Sequence, residues 1–135
     1  MRRIAAALAL LLLVGRTAEA QALCDALGTK PKLVAELFFG RDIGARGHVG
    51  DKDWENFVRE VMGPAFPGFT ALDASGQSLD PSTGKVGREP TKYVIVALHD
   101  TPASMATVKR VIDAYLNRFH QRAVGVLYDR RCGAF

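Results

Sequence analysis

Strand-like and helix-like apolar periodicities follow one another along this chain in an order that few folds accept. Leu33 to Phe39 is apolar except for Glu36 and is bounded by Lys30-Pro31-Lys32 and Gly40, the signature of a strand. Trp54, Phe57, Val58, Val61 and Met62 recur at helical spacing, making one apolar stripe that Gly63-Pro64 is expected to end. Gly50 is placed to cap this helix, with Val49 and Trp54 positioned as a hydrophobic staple. Phe69 to Ala74 reads as a short strand, bent at Ser75-Gly76 and continuing through Gln77-Ser78-Leu79. Asp80-Pro81-Ser82-Thr83-Gly84 is a turn, and Lys85 to Glu89 returns from it. Thr91 to Leu98, with Pro90 at its start, is the continuous apolar run of a strand inside a sheet. Thr101-Pro102 opens a second helix with Met105, Val108, Ile112, Tyr115 and Phe119 as its stripe, and Val124 to Tyr128 is the last strand.

The order strand, helix, strand, strand, helix, strand with two amphipathic helices predicts an α+β fold, the ferredoxin-like split βαβ arrangement. Its four-stranded antiparallel sheet has the spatial order 4-1-3-2 and carries both helices on one face. The opposite face then has no helix to cover it. It would show Val34, Glu36 and Phe38 beside one parity of the third strand, either Lys92, Val94, Val96 and Leu98 or Tyr93, Ile95, Ala97 and His99. Every strand except the second is apolar on both sides. So large an apolar face calls for a cover, either a ligand or a second copy in a homodimer.

The N-terminus carries an address. Arg2 and Arg3 precede eleven apolar residues, Ile4 to Val14, and two small-x-small sites follow at Ala18-Glu19-Ala20 and Ala20-Gln21-Ala22. This order is that of a secretory signal peptide, and the apolar run is shorter than the roughly 20 residues a membrane span needs. Residues 1–22 are therefore read as a signal peptide and 23–135 as a single domain of an exported protein, periplasmic or secreted. Cleavage after Ala20 or Ala22 leaves 115 or 113 of the 135 residues, enough for one hydrophobic core. Loss of Arg2, Arg3, Arg16 and Glu19 takes 18 basic and 14 acidic side chains to 15 and 13, a net charge of +2. The basic residues are scattered, which argues against nucleic-acid binding.

The mature chain holds two cysteines, Cys24 and Cys132. In an oxidising compartment such a pair tends to become a disulfide. In the 4-1-3-2 topology the start of the first strand lies beside the end of the last, which brings Cys24 and Cys132 to the same end. Leu23 stands directly before Cys24 and disfavours lipid attachment there, which prefers a small residue before the cysteine. Arg130 and Arg131 offer only a thin activating environment for a reactive thiol. No Cys-x-x-Cys or paired histidine spacing points to a metal.

Candidate chemistry is sparse, and no catalytic residue, metal or cofactor is assigned. The loop Gly40 to Gly50 has four glycines but ends in Gly50-Asp51-Lys52-Asp53, without the Gly-Lys-Ser/Thr of a phosphate loop. The topology gathers Arg41, Asp42, His48, Arg88, Glu89 and His120 at one end of the sheet. Arg41 follows the first strand and Arg88 precedes the third, its antiparallel neighbour, with Glu89 beside them. Two converging guanidinium groups can take a carboxylate or phosphate bidentately, so Arg41, Arg88 and Glu89 form the candidate site for a small acidic ligand. If Glu89 or Asp42 sits between the two arginines, the cluster is structural instead. His99-Asp100 lacks a nucleophile-elbow serine and sits at a helix start. Glu36 interrupts an apolar strand and needs a partner, with Lys92 the candidate if both face the open side.

Five segments together carry a resemblance: Leu37-Phe38-Phe39-Gly40-Arg41; Trp54 with Phe57; Leu72-Asp73-Ala74-Ser75-Gly76-Gln77; Gly87-Arg88-Glu89-Pro90-Thr91-Lys92; and Tyr115 to Gln121 with Arg118-Phe119. They resemble an uncharacterised family of small exported bacterial proteins, known as a domain of unknown function. The resemblance spans Leu33 to Phe135 and implies the fold and the address, with no activity attached. The resulting expectation is an exported non-catalytic module that self-associates or binds a small ligand over its open sheet face. The alternative is a small enzyme acting on an acidic metabolite through the Arg/Glu/His cluster.

Overall fold

The computed structural model describes residues 22, 24–79 and 82–134. The signal-peptide reading falls, apart from Ala22, outside the described residues, as does the Asp80-Pro81 start of the turn. Four strands, β1 (Lys30–Gly40), β2 (Thr70–Leu79), β3 (Val86–His99) and β4 (Gly125–Gly133), form one antiparallel sheet in the order β2-β3-β1-β4. The main helices are α1 (Asp51–Phe57) and α2 (Pro102–Phe119). This is the ferredoxin-like arrangement, with the expected strand order.

Local chemistry explains the element ends. Gly50 is the N-cap of α1, and its N–H donates to the Asp53 carboxylate at 3.3 Å. Val49 and Trp54, the staple pair, are both buried. Thr101 caps α2 by accepting the Ser104 N–H on its hydroxyl at 3.2 Å. His120 ends α2 in the left-handed conformation, φ 52°.

Three expectations about element limits are corrected. The first helix does not stop at Gly63-Pro64. It widens into π-helical turns over Val58–Met62, where Gly63 N–H donates to Val58 O, and closes with Gly63–Ala65. Pro64 has no N–H, and its ring would collide with a carbonyl four residues back in a regular α-helix. The wider turn moves that carbonyl away from the ring. The second strand does not bend at Ser75-Gly76, because Ser75 and Gly76 pair with Pro90 and Glu89 without interruption. Pro90 permits this. Its carbonyl accepts Arg41 N–H at 2.9 Å, so its missing N–H also lies on the β1 side, past the end of that strand, and the β2 ladder stays whole. The last strand runs on to Gly133 because β1 begins early, with Lys30 opposite Gly133.

Both helices pack on one face. Leu37, Phe39, Val94 and Val96 point into the core with Trp54, Phe57, Val108 and Tyr115. Phe39 lies at its centre, with ring centroids 5.5 Å from Trp54 and 4.8 Å from Tyr115. Register decides the other face: Val34 pairs with Ala97, Glu36 with Ile95 and Phe38 with Tyr93. The open side thus carries the Tyr93, Ile95 and Ala97 parity rather than Val94 and Val96. Beyond Gly40, opposite Thr91, β1 ends, and Ser75–Leu79 with Val86–Pro90 continue as a two-stranded arm. At one end of the molecule Cys24 and Cys132 are joined by a disulfide, their Cα atoms 5.1 Å apart.

Candidate functional site

The end of β1 is held together by backbone as much as by charge. Arg41 turns back along the loop, where its Nε donates to Val49 O at 2.7 Å and its guanidinium pairs with Asp51 at 2.8 Å. Asp42 forms a bridge with His48 across the loop, and its carboxylate accepts the Gly44 N–H at 2.8 Å. Gln121 Nε2 donates to Asp42 O, and Arg46 donates to His120 O. Tyr115 reaches from the core to donate its hydroxyl to Gly40 O at 2.9 Å. Burial pushes the Tyr115 phenol well above its ordinary range.

Glu89 lies over Gly40, so close that a Cβ there would stand 2.7 Å from its carboxylate. Its Oε2 accepts the Asp42 N–H at 3.2 Å. Arg88 points along the arm and donates to Gln77 Oε1 at 3.0 Å. The two arginines of the candidate site therefore have separate partners. The carboxylate facing Arg41 is Asp51, and neither Glu89 nor Asp42 forms an ion pair with either arginine among the described residues. At the opposite end Asp100 binds Arg130 at 2.6 Å, and this pair holds the Arg130 guanidinium above its ordinary pKa.

Glu36 is the residue whose surroundings the sequence left open. Its partner is not Lys92, which pairs with Asp73 and thereby lowers the Asp73 pKa. The Tyr93 hydroxyl donates to Glu36 Oε2 at 2.7 Å, and Arg131 Nη2 donates to Oε1 at 2.9 Å. The parity of β3 explains the difference: Tyr93 shares the open face with Glu36, whereas Lys92 lies on the other side. The bond to Glu36 raises the Tyr93 pKa, keeping its proton in place. Arg131 also binds Asp129 at 3.0 Å, an interaction that lowers the Asp129 pKa and, with Glu36, raises that of Arg131.

Phe38 stacks on Tyr93 with centroids 4.9 Å apart, next to Glu36 along β1. Phe38, Leu72 and Leu127 on this face are 37%, 49% and 59% exposed. The sheet side away from the helices thus has a half-buried carboxylate at its centre, an aromatic pair beside it and apolar side chains around it. The sequence did not single out Tyr93 and Arg131 as partners of Glu36. Tyr93 sits inside an apolar run, and Arg131 is 95 residues from Glu36 along the chain. Only the strand parity could have pointed to Tyr93.

Among the described residues, no group of three or more His, Cys, Asp or Glu is placed to hold a metal ion, and no helix is long and apolar enough to cross a membrane. Fold and site define a class of protein: a ferredoxin-like α+β domain with a hydrogen-bonded carboxylate on the uncovered side of its sheet. Within it, the chain belongs to the family described as protein of unknown function (DUF3574), whose family model matches residues 34–135. No curated protein matches the chain. Among solved structures it is similar to a phage SAM lyase in complex with S-methyl-5'-thioadenosine, with a TM-score of 0.58 and 14% identity over 77% of this chain and 90% of that one. At that identity the likeness is one of fold.

Proposed function

We propose that this protein is an exported binding module whose working surface is the open face of its sheet and whose occupant is a small ligand. The observation that carries this reading is the Phe38–Tyr93 stack beside Glu36, itself held by Tyr93 and Arg131. A flat apolar group fits an aromatic pair, and a fixed carboxylate beside it supplies orientation. The similar phage enzyme has a nucleoside thioether bound, and a compound of that kind is the first ligand to try here. Export is supported by the order of residues 1–22 and by the disulfide, which belongs to oxidising compartments.

A second copy of the chain is the other occupant, favoured by the exposure of Leu72 and Leu127. Dry pairing through this face would withdraw the Glu36–Arg131 pair from water in each copy, and desolvation of an ion pair offsets much of the gain. That balance favours the small ligand. The test is amide chemical-shift mapping of the mature protein with S-methyl-5'-thioadenosine, other nucleosides and small carboxylates, alongside sedimentation. The expected result is a set of shifts centred on Phe38 and Tyr93 that Phe38→Ala abolishes, in a protein whose sedimentation does not change with concentration. A dimer with those amides shielded, and no ligand response, would replace this reading with self-association. Stabilisation by an acidic metabolite that Arg88→Ala removes would instead place the ligand at Arg41, Arg88 and Glu89.

A further inference from the structure

We infer that the edge of β3 beside Ala97 is a docking site for an extended acidic peptide, which adds a short strand to the sheet there. The site is separate from the open-face site proposed above and does not depend on it. β2 reaches only as far as Thr70, paired with Ile95, while β3 runs on to His99. The register sets Gly68 opposite Ala97, yet no hydrogen bond joins them. The approaching chain explains the gap. Phe66 is buried in the core, its ring 6.3 Å from that of Phe69, and Pro67 follows with no N–H to give. The chain therefore joins the sheet at Thr70, short of the end of β3.

Backbone polarity decides what fits the gap. Successive residues of a strand direct their N–H and C=O groups to alternate neighbours. Pro90 O accepts Arg41 N–H, so the even-numbered residues of β3 face β1 and the odd-numbered ones face β2. Ala97 therefore aims both its N–H and its C=O into the gap, and neither has a partner among the described residues. His99 aims its N–H the same way, while its C=O accepts Thr101 N–H at 2.9 Å. The gap is a cavity of about 770 Å³, within the size range of ligand sites. Pro67 and Phe69 line it from the β2 side, Leu98 from β3, and Ser104 and Thr107 from α2. Its ionisable groups are His99 and Lys32, which is paired with His99 across the sheet. Lys32 is half-buried and has no ion pair among the described residues, and no carboxylate among them lines the cavity. A free donor and acceptor on one strand residue are both met by another extended backbone. Strand addition of this kind draws affinity from backbone bonds and specificity from alternate side chains. In antiparallel register the peptide residue opposite His99 shares its face with His99 and Lys32, so an acidic side chain there meets the ammonium. The residue opposite Ala97 follows two positions later, and the side chain between them turns to the Leu98 side and into the cavity.

The test is amide chemical-shift titration of the mature, oxidised protein with the capped peptide acetyl-Asp-Val-Val-amide. Shifts centred on Ala97 and His99 are expected. N-methylation of the last valine removes the N–H that Ala97 O accepts, and should weaken binding about tenfold. Replacing the aspartate of the peptide by lysine should weaken it as well, and Lys32→Gln in the protein should bring those two affinities together. Lys109→Gln, on the exposed side of α2, leaves their ratio unchanged. Equal affinities for the parent and N-methylated peptides would overturn strand addition. A preference for the acidic peptide that survives Lys32→Gln would overturn the role given to Lys32. Shifts centred on Phe38 and Tyr93 instead, or none at Ala97 with peptide in the millimolar range, would overturn the site itself.

Discussion

Tyr115 shows how one side chain ties the core to the loop end of the sheet. Its ring is fully buried against Phe39 and Phe57, and its hydroxyl serves the Gly40 carbonyl. Removing that donor leaves a carbonyl without its partner, so Tyr115→Phe is expected to lower the unfolding free energy by about 1–2 kcal/mol in denaturant titrations. The same burial has a pH signature. The folded phenol titrates above the unfolded value of about 10, so its contribution is complete below pH 10 and is lost as pH rises toward the folded pKa. Stability measured from pH 9 to 11 should therefore fall less steeply in Tyr115→Phe than in the wild type. Gly40 offers a second residue-scale test. A methyl group there meets the Glu89 carboxylate at 2.7–2.8 Å, so Gly40→Ala should displace Glu89 from Asp42 N–H. The Asp42 amide resonance would move, and one that stayed in place would show that the carboxylate does not depend on the bare strand.

Among the elements, α1 and α2 contribute in different ways. The first helical segment is irregular because Pro64 and its π-turns follow closely on Phe57, yet its rings anchor the core. Phe57 meets Phe39, Tyr115 and Phe119 within about 6 Å and is fully buried. Phe57→Ala should cost about 3–5 kcal/mol, measured by chemical denaturation. The second helix is regular and its start rests on one cap. Thr101→Ala should cost about 1 kcal/mol, with increased hydrogen exchange confined to the Ser104 turn. A loss spread over the whole sheet would mean that Thr101 does more than cap.

For the molecule as a whole, the disulfide closes a loop with a sequence separation of 108. A link of that length constrains the unfolded chain strongly. Cys24→Ser with Cys132→Ser is expected to lower stability by about 2–4 kcal/mol without changing the fold. Wild type in reductant should match the double variant, and a native amide spectrum in both would confirm that the sheet and helices fold without the link. Mass spectrometry of the protein from its native envelope should find a mature N-terminus at Gln21 or Leu23 if residues 1–22 are a signal peptide.

The sequence by itself determined the element order, the strand order and the cysteine pairing. These follow from periodicity, from helices that are apolar on one side only, and from a topology that brings the start of the first strand beside the end of the last. It also marked Glu36 as a polar residue in need of a partner. Which partner it takes was a matter of tertiary structure alone. Lys92 and Tyr93 are adjacent in the chain, and a one-residue change of register exchanges their faces. Arg131 reaches Glu36 only because β4 runs on past Tyr128 to Gly133 and so brings it alongside β1. Arg41 and Arg88 belong to the same end of the sheet, as the strand order requires, but the loop carbonyl of Val49, Asp51 and the arm residue Gln77 decide where their guanidinium groups go. Long side chains at strand ends follow the nearest available acceptor, and acceptors supplied by loops and neighbouring strands have no periodicity from which to read them.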